Sequence, residues 1–205
     1  METRVGYVTE EEFWARYGDT KHRVELVDGE VVPKYGVEGP LSPTSGAHGA
    51  IVDNLLFALN SFVRPRRLGR VFADPTAFVI SERPKRIRCP DVAYVRADRL
   101  PSELPLAGPI RVVPDLAVEV LSPSEPLAAL EAKLAMYRAC GVRLAWKVVP
   151  PRRSVTVYDG ESEQVFGFGD VLSAGDVVSG FTLAVADVFD GVAEAPRGGR
   201  GATGR

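Results

Sequence analysis

The sequence predicts an α/β domain, because helical and strand patterns alternate along most of its length. Two long segments, 48–62 and 127–137, carry apolar residues at every third or fourth position, which is typical of helices packed on a core. β-Branched and apolar runs predict four strands, at 71–80, 87–95, 116–121 and 144–149. The order is helix, three strands, helix and strand, so we expect a mixed central sheet flanked by helices.

Composition agrees with one globular domain. The chain has 205 residues, of which 45% are hydrophobic and 25% charged, and its formal net charge is −2. This balance is enough for a sizeable core and excludes the fibrous, disordered and disulfide-stapled classes. We expect a single domain over residues 1–192 and a disordered Gly/Arg tail over 193–205.

The sequence lacks the patterns that are typical of several functional classes of protein. No run of about 18 apolar residues and no apolar signal region is found, so we expect a cytoplasmic protein without membrane contact. Cys89 and Cys140 have no neighbouring Cys or His, which favours reduced thiols over a zinc site or a disulfide. The chain also lacks a phosphate loop and a dinucleotide fingerprint, so no organic cofactor is expected.

Further elements flank the predicted core on both sides. Thr9 and Glu12 form a capping-box pattern that predicts a helix ending at Tyr17. After it, an Asp28-Gly29 turn between two β-branched runs predicts a hairpin. The chain therefore begins with a helix-hairpin unit. Extra C-terminal strands are predicted at 155–158, 164–168 and 181–189.

Positive charge is concentrated in one segment. Residues 64–99 contain ten basic and four acidic side chains, a net of +6, which leaves −8 for the remainder. Most of the basic residues are arginines, whose guanidinium groups suit bidentate phosphate contacts. The segment indicates a nucleic-acid-binding face, and an ordinary solvated surface is the alternative. The candidate contacts are Arg66, Arg67, Arg86 and Arg88, together with His48, for which capping or packing is the alternative.

Glu119 is the first candidate for chemistry, because it interrupts the apolar strand 116–121. A buried carboxylate is costly unless it pairs with a cation, accepts hydrogen bonds or binds a metal. The alternative is a strand with one solvated face, but the same-face neighbours Ala117 and Leu121 are apolar. The pattern favours a functional carboxylate.

Asp91 is the second candidate, because it too lies within a strand pattern, directly after Pro90. If its strand pairs with the strand of Glu119, the two side chains lie close enough to bind one Mg²⁺. A turn aspartate after a proline is the alternative. Asp115 is excluded as a partner, because four strand positions separate it from Glu119 by about 13 Å.

A lysine is the third element. Lys133 flanks the apolar stripe of the second long helix, and its ammonium group could orient water or stabilise charge at a scissile phosphate. The alternative is an ordinary boundary lysine. Lys147 is a competitor, since it interrupts the last core strand, and the residues alone leave both open. Glu25, before the hairpin turn, could supply a third carboxylate or simply face solvent.

Six separate motifs contain most of these candidates. They are Arg23-Val-Glu-Leu-Val-Asp-Gly-Glu-Val, Ser42-Pro-Thr-Ser-Gly-Ala-His48, Cys89-Pro-Asp-Val-Ala-Tyr, Pro114-Asp-Leu-Ala-Val-Glu-Val-Leu-Ser-Pro-Ser124, Lys133-Leu-Ala-Met-Tyr and Gly141-Val-Arg-Leu-Ala-Trp. Together, over about residues 8–190, they resemble the Uma-type restriction endonucleases, a family of the PD-(D/E)xK nuclease superfamily. The resemblance implies a restriction-endonuclease-like αβββαβ core, in agreement with the predicted order of elements.

The resemblance also implies a reaction and a set of roles. The expected activity is hydrolysis of DNA phosphodiester bonds with Mg²⁺ or Mn²⁺, with Asp91 as the signature aspartate and Glu119 as the second acid. Leu121 stands where the signature has its lysine, and in this family that role moves to the following helix, which points to Lys133. Glu25 matches an acid that is often present. A homodimer is expected.

Two other functions remain open at this point. The chain could be a nuclease-fold protein that binds nucleic acid without cleaving it, or an oligomeric module whose arginines pair with acids of a second subunit. Metal binding separates the first from an enzyme, and salt-dependent association without DNA binding would favour the second.

Overall fold

A computed structural model describes residues 7–18, 23–34 and 45–194, and the structural statements below refer to them. The helices are α1 (Glu10–Tyr17), α2 (Gly46–Val63), α3 (Leu127–Ala139) and α4 (Val185–Val188). The first six strands are β1 (Val24–Val27), β2 (Glu30–Pro33), β3 (Gly69–Ala73), β4 (Phe78–Glu82), β5 (Lys85–Arg88) and β6 (Val92–Arg96). The others are β7 (Leu116–Val120), β8 (Leu144–Val149), β9 (Ser154–Asp159), β10 (Ser162–Phe166), β11 (Val171–Ser173) and β12 (Thr182–Ala184).

A six-stranded mixed sheet forms the centre, in the order β10-β9-β8-β7-β6-β3. β7 and β8 are parallel, and the other neighbouring pairs are antiparallel. Helix α2 packs its apolar face on one side of this sheet, while α3 packs on the other. The predicted fold class, a mixed sheet flanked by helices, is confirmed.

A second sheet of four strands, β2-β1-β5-β4, contains the predicted N-terminal hairpin. Its Asp28 and Gly29 both have positive φ (54° and 86°), as a tight Asp-Gly hairpin turn requires. Helix α1 packs on this sheet through the buried Phe13. The predicted capping box is present, since the Thr9 side chain accepts from the Glu12 amide and Glu12 accepts from the Thr9 amide. The N-terminal helix-hairpin unit is therefore confirmed.

Two predicted strands are wrong as single elements. The run 71–80 is divided into β3 and β4, and the run 87–95 into β5 and β6, and in each case the two halves belong to different sheets. Pro75 and Pro90 interrupt these runs, and proline has no N–H to donate to a strand ladder. The chain crosses between the two sheets at these prolines, and this crossing places Asp91 at the junction.

Smaller differences concern the ends of elements. Helix α2 ends at Val63, two residues before Pro65, and not at Gly69. The segment 181–189 forms the short strand β12 and then α4, and β11 was not predicted. Of the predicted disordered tail, only Ala193 and Glu194 are described, both outside helices and strands. Residues 195–205, and residues 36–44 of the predicted loop before α2, lie outside the described residues.

Other sequence predictions have direct outcomes. Cys89 and Cys140 are free thiols, as expected. Within the described part of the chain, no helix combines the length and the apolar character needed to cross a membrane. Asp115 is buried and accepts hydrogen bonds from the Arg96 amide (2.9 Å) and from Nη1 of Arg99 (2.5 Å), so it serves as a structural residue at the start of β7.

Candidate active site

Asp91 and Glu119 lie side by side where β6 and β7 begin to separate. The register pairs Val92 with Val118, so the next residues outward on the two strands are Asp91 and Glu119. Both side chains are buried, at 1% and 2% exposure. Oδ2 of Asp91 accepts a hydrogen bond from the Val120 amide at 2.8 Å, which fixes Asp91 to the strand that carries Glu119. The strand pairing expected for two metal-binding carboxylates is therefore present.

Helix α3 brings two polar groups to Glu119. Nζ of Lys133 lies 2.9 Å from Oε1 of Glu119, and the Tyr137 hydroxyl donates to the same oxygen at 2.7 Å. Lys133 and Tyr137 are four residues apart, so one face of the helix presents both. Their shared contact fixes the orientation of the Glu119 carboxylate.

Lys147, the other candidate lysine, contacts Glu131 and Tyr158. It pairs with Glu119 in the register of β7 and β8, but its Nζ lies 2.9 Å from Oε1 of Glu131 and 5.5 Å from the centre of the Tyr158 ring. Of the two candidate lysines, Lys133 is the one that the structure places in contact with Glu119.

Glu25 lies on β1, where its contacts are with Arg88, Cys89 and Lys133. Its Oε2 accepts from Nη1 of Arg88 at 2.6 Å, its Oε1 accepts from the Cys89 amide at 2.8 Å, and Nζ of Lys133 is 3.9 Å away. Burial opposes ionisation of Glu25, but the charges of Lys133 and Arg88 outweigh burial and hold the pKa of Glu25 below its usual range. These contacts connect Glu25 to residues 88–89, just before Asp91, and to Lys133, and its catalytic role stays a prediction.

The arginine candidates do not form a phosphate-binding face around Asp91. Arg88 is buried on Glu25, so its prediction as a surface contact is wrong. Arg86 is held by both carboxylate oxygens of Asp28, at 2.6 and 3.0 Å, which occupies the fork that a phosphate would use. Arg66 and Arg67 are exposed, but they follow the far end of α2, whose length from His48 to Val63 is about 23 Å.

Sequence reasoning missed Lys34 and Asp74. Nζ of Lys34 lies 3.0 Å from Oδ1 of Asp91 and also donates to the Asp74 carboxylate. The Asp74 amide donates to the Asp91 carbonyl at 3.2 Å. This hydrogen bond joins the two segments, near Pro75 and Pro90, in which the chain passes from one sheet to the other. No periodic signal marks Lys34, which simply follows the β2 strand, because only the folded hairpin carries it to Asp91.

Tyr137 was also missed as a polar group, because it lies in the apolar stripe of α3 and was assigned to the core. The i, i+4 spacing of Lys133 and Tyr137 was the available signal. Both side chains lie on the helix face that covers β7, and the only carboxylate of that strand is Glu119.

His48, the third residue of α2, also differs from its prediction. It is buried, with Nε2 3.7 Å from Oδ2 of Asp91, so it faces the carboxylate pair and not the protein surface. Burial lowers the pKa of His48 although Asp91 opposes the change, so the ring is neutral at pH 7. The packed alternative describes its surroundings, and its role as a nucleic-acid contact stays a prediction.

The two carboxylates ionise differently. Burial raises the pKa of Glu119 to about 7, the charges of Asp91 and Glu25 add to the rise, and Lys133 opposes it. Burial also acts on Asp91, but Lys34 and Lys133 outweigh it, so the pKa of Asp91 is lowered. At neutral pH, Asp91 is ionised and Glu119 titrates. Like charge on Asp91, on the neighbouring strand, thus opposes ionisation of Glu119.

The donor set fits a hard divalent cation. Mg²⁺ is usually held by one or two carboxylates, with water and substrate phosphate oxygens as its other ligands. Asp91 and Glu119 supply two carboxylates, and each already holds an ammonium group, of Lys34 and Lys133 respectively. Among residues 7–18, 23–34 and 45–194, no group of three or more His, Cys, Asp and Glu side chains could hold a metal. A cation here would therefore take further ligands from outside this set of side chains, such as water and substrate oxygens.

Comparison with known proteins bears on the fold and the family of the chain. A search of curated proteins found no match. A crystal structure titled as that of a "putative nuclease belonging to DUF820", from Anabaena variabilis, has the same fold, with a TM-score of 0.74 and 23% identity over 89% of this chain and 97% of that one. The model of the Uma2 family, described as "Putative restriction endonuclease", matches residues 10–186. Since this match covers most of the 205 residues, the chain belongs to the Uma2 family.

Proposed function

We propose that the protein is an endonuclease that hydrolyses DNA phosphodiester bonds with a divalent cation held by Asp91 and Glu119. Membership of a family described as restriction endonucleases supports a nuclease. The observation that carries the finer proposal is the buried pair of carboxylates, with the Lys133 ammonium 2.9 Å from Glu119. Two carboxylates can hold a divalent cation, and a neighbouring ammonium group can stabilise negative charge on a phosphate.

When bound, Mg²⁺ or Mn²⁺ would lower the pKa of a water molecule and offset negative charge on the phosphate. Asp91 contributes a carboxylate that is ionised at neutral pH and fixed by the Val120 amide. Glu119 contributes a carboxylate whose rotation is restricted by Tyr137 and Lys133. Both acids are therefore held in place before substrate arrives, which lowers the cost of ordering the site.

Lys133 acts as a cation in this proposal. Burial favours its neutral form, but the charges of Glu119 and Glu25 outweigh burial and raise the pKa of Lys133. An ammonium group that stays protonated does not accept a proton from water. It donates hydrogen bonds and stabilises negative charge that develops on the phosphate.

Cleavage of supercoiled plasmid DNA tests this proposal. Wild type with Mg²⁺ is expected to nick or cut the plasmid, and EDTA is expected to stop it. Asp91→Asn and Glu119→Gln are each expected to lower the rate at least about a hundredfold, because each removes a charged metal ligand. Glu163→Gln, an exposed change on β10, is the matched control and should keep wild-type cleavage. Equal cleavage by wild type and both site variants would contradict the proposal.

A second function is favoured by one observation. Lys34 and Lys133 already neutralise Asp91 and Glu119, which a protein that binds nucleic acid without metal would also require. That protein would retain DNA in EDTA and leave it intact in Mg²⁺. DNA as partner, the homodimer and the cytoplasmic location stay predictions.

A further inference from the structure

A cavity of about 240 Å³ lies between α1 and the four-stranded sheet, next to the carboxylate pair. Three aromatic residues of α1 line it, Phe13, Trp14 and Tyr17. The rings of Trp14 and Tyr17 contact Phe13 at centroid distances of 5.4 and 5.6 Å. The helix therefore presents a cluster of aromatic surface to a space that is small compared with the pockets of drug-sized ligands.

The other end of the cavity is charged. Arg23, Lys34 and Asp74 line it there, and Nη1 of Arg23 lies 3.4 Å from Oδ2 of Asp74. The side chain of Arg23 is 39% exposed, whereas that of Lys34 is 2% exposed. Donors and an acceptor thus face one end of an aromatic pocket.

Two lining residues connect the wall of the cavity to the candidate active site. Lys34 lines the cavity, and its Nζ lies 3.0 Å from Oδ1 of Asp91. Cys89 also lines it and precedes Asp91 by two positions. An occupant of the cavity would lie beside a group bound at Asp91.

We propose that this cavity receives one nucleobase of the strand whose phosphate lies at Asp91 and Glu119. The inference rests on the proposed nuclease function and adds a substrate class to it. A base enclosed by protein cannot at the same time be paired in a duplex. The preferred substrate is therefore single-stranded nucleic acid or a nucleotide extruded from a duplex.

The chemistry of the lining favours a base over a purely apolar occupant. Aromatic side chains bind bases of any sequence by stacking, and cationic residues follow the adjoining backbone. Arg23 and Asp74 place a donor and an acceptor at one end of the cavity, with which a base can form hydrogen bonds and a hydrocarbon group cannot.

Tryptophan fluorescence can report occupancy of the cavity, because the chain has two tryptophans in different surroundings. Trp14 lines the cavity, while Trp146 is fully buried in the core on the α2 side of the central sheet. Full-length protein in EDTA is titrated with four oligomers of the same length. Two are single strands with bases, oligodeoxythymidylate and oligouridylate. The others are a duplex of oligodeoxythymidylate with oligodeoxyadenylate and an abasic deoxyribose-phosphate strand. EDTA prevents cleavage during the titration.

We expect the base-containing single strands to quench Trp14 and to bind about tenfold or more tightly than the abasic oligomer, since stacking of a base contributes strongly to affinity. The thymidylate and uridylate arms separate DNA from RNA as the source of the base. In Trp14→Phe the remaining fluorescence, from Trp146, should not change, and the fold is checked by circular dichroism. Val165→Ala, an exposed change on β10, is the control for oligomer binding.

Equal affinity for abasic and base-containing strands, quenching that persists in Trp14→Phe, or preference for the duplex would overturn the inference. The plasmid assay distinguishes failure of this inference from failure of the proposed nuclease function. Quenching of Trp14 without Mg²⁺-dependent cleavage would contradict the proposed nuclease function but support the base-binding cavity. Cleavage without quenching would contradict only the base-binding cavity.

Discussion

Lys133 and Lys147 lie on adjoining elements but contact different acids, Glu119 and Glu131 respectively. Lys133→Met is expected to lower the rate of DNA cleavage by about a hundredfold, because it removes the cation that stabilises charge on the phosphate. Lys147→Met should change the rate by only a few-fold, and it serves as the matched control. Single-turnover cleavage in Mg²⁺ measures both. A larger loss in Lys147→Met would assign the role to that lysine instead.

Glu119 should make the stability of the metal-free protein depend on pH. Its pKa is about 7 in the folded state and 4.5 for an ordinary glutamate, so the folded state holds the proton more strongly between these values. This contribution is fully present below about pH 4.5 and is lost as pH rises through 7. Over that window it amounts to the order of 3 kcal/mol.

Urea unfolding in EDTA at several pH values tests this expectation. The difference in unfolding free energy between wild type and Glu119→Gln should move against wild type as pH rises from about 4.5 to 7, because glutamine has no proton to lose. Asp91 and Glu25 have lowered pKa values, so both are ionised over most of this window and add little to its pH dependence. A pH-independent difference would show that Glu119 titrates normally.

Strands β1 and β5 are joined near the site by the buried pair of Glu25 and Arg88. Glu25→Gln leaves the Arg88 guanidinium buried without its charged partner, so we expect a loss of about 3–5 kcal/mol in unfolding free energy. Urea unfolding measures it. Glu194→Gln is the control, because the Glu194 side chain is 66% exposed in its pair with Arg153 and its loss should be under about 1 kcal/mol. A similar small loss in Glu25→Gln would mean that the pair does not hold the strands.

Elements with a local pattern were predictable, and elements that depend on distant contacts were not. The capping box of α1, the Asp28-Gly29 hairpin and the apolar stripe of α3 follow from neighbouring residues. The division of 71–80 and 87–95 between two sheets depends on where each half finds a hydrogen-bonding partner. Pro75 and Pro90 marked the interruptions, but no local rule states that the chain changes sheets there.

The same distinction applies to the site. Glu119 and Asp91 could be found, because a carboxylate within an apolar strand pattern is conspicuous. Lys34 could not, because its contact with Asp91 joins residues 57 positions apart and forms only when the hairpin packs beside the central sheet. Arg88 was misassigned for a related reason, since its charge indicated a surface role and its burial on Glu25 is a tertiary property.

The net charge of residues 64–99 did not predict where positive charge lies on the folded protein. Of the ten basic residues in 64–99, five are paired with acids. They are Lys85, Arg86, Arg88, Arg96 and Arg99. The exposed arginines that remain near one another, at 64, 66, 67 and 70, follow α2 at the end opposite His48. Arg64, Arg66 and Arg67 are therefore separated from His48, which faces Asp91, by roughly the length of that helix.

A strand of nucleic acid could contact both regions, because about 23 Å corresponds to about seven base pairs of duplex. In that case Arg66→Gln combined with Arg67→Gln should weaken DNA binding equally for all sequences and reduce the salt dependence of log Kd by about 1–2. Binding at several salt concentrations measures it, with Arg143→Gln, an exposed arginine outside this group, as the control. An unchanged salt dependence would show that DNA does not reach these arginines.

The central claim is that Asp91 and Glu119 together hold a divalent cation, and titration calorimetry with Mn²⁺ tests it most directly. Full-length wild type is expected to bind one ion. Asp91→Asn and Glu119→Gln should each bind at least about tenfold more weakly, because each loses one of two charged ligands. Glu163→Gln should bind as wild type does. Absence of binding to wild type, or equal binding by wild type and both site variants, would contradict the account.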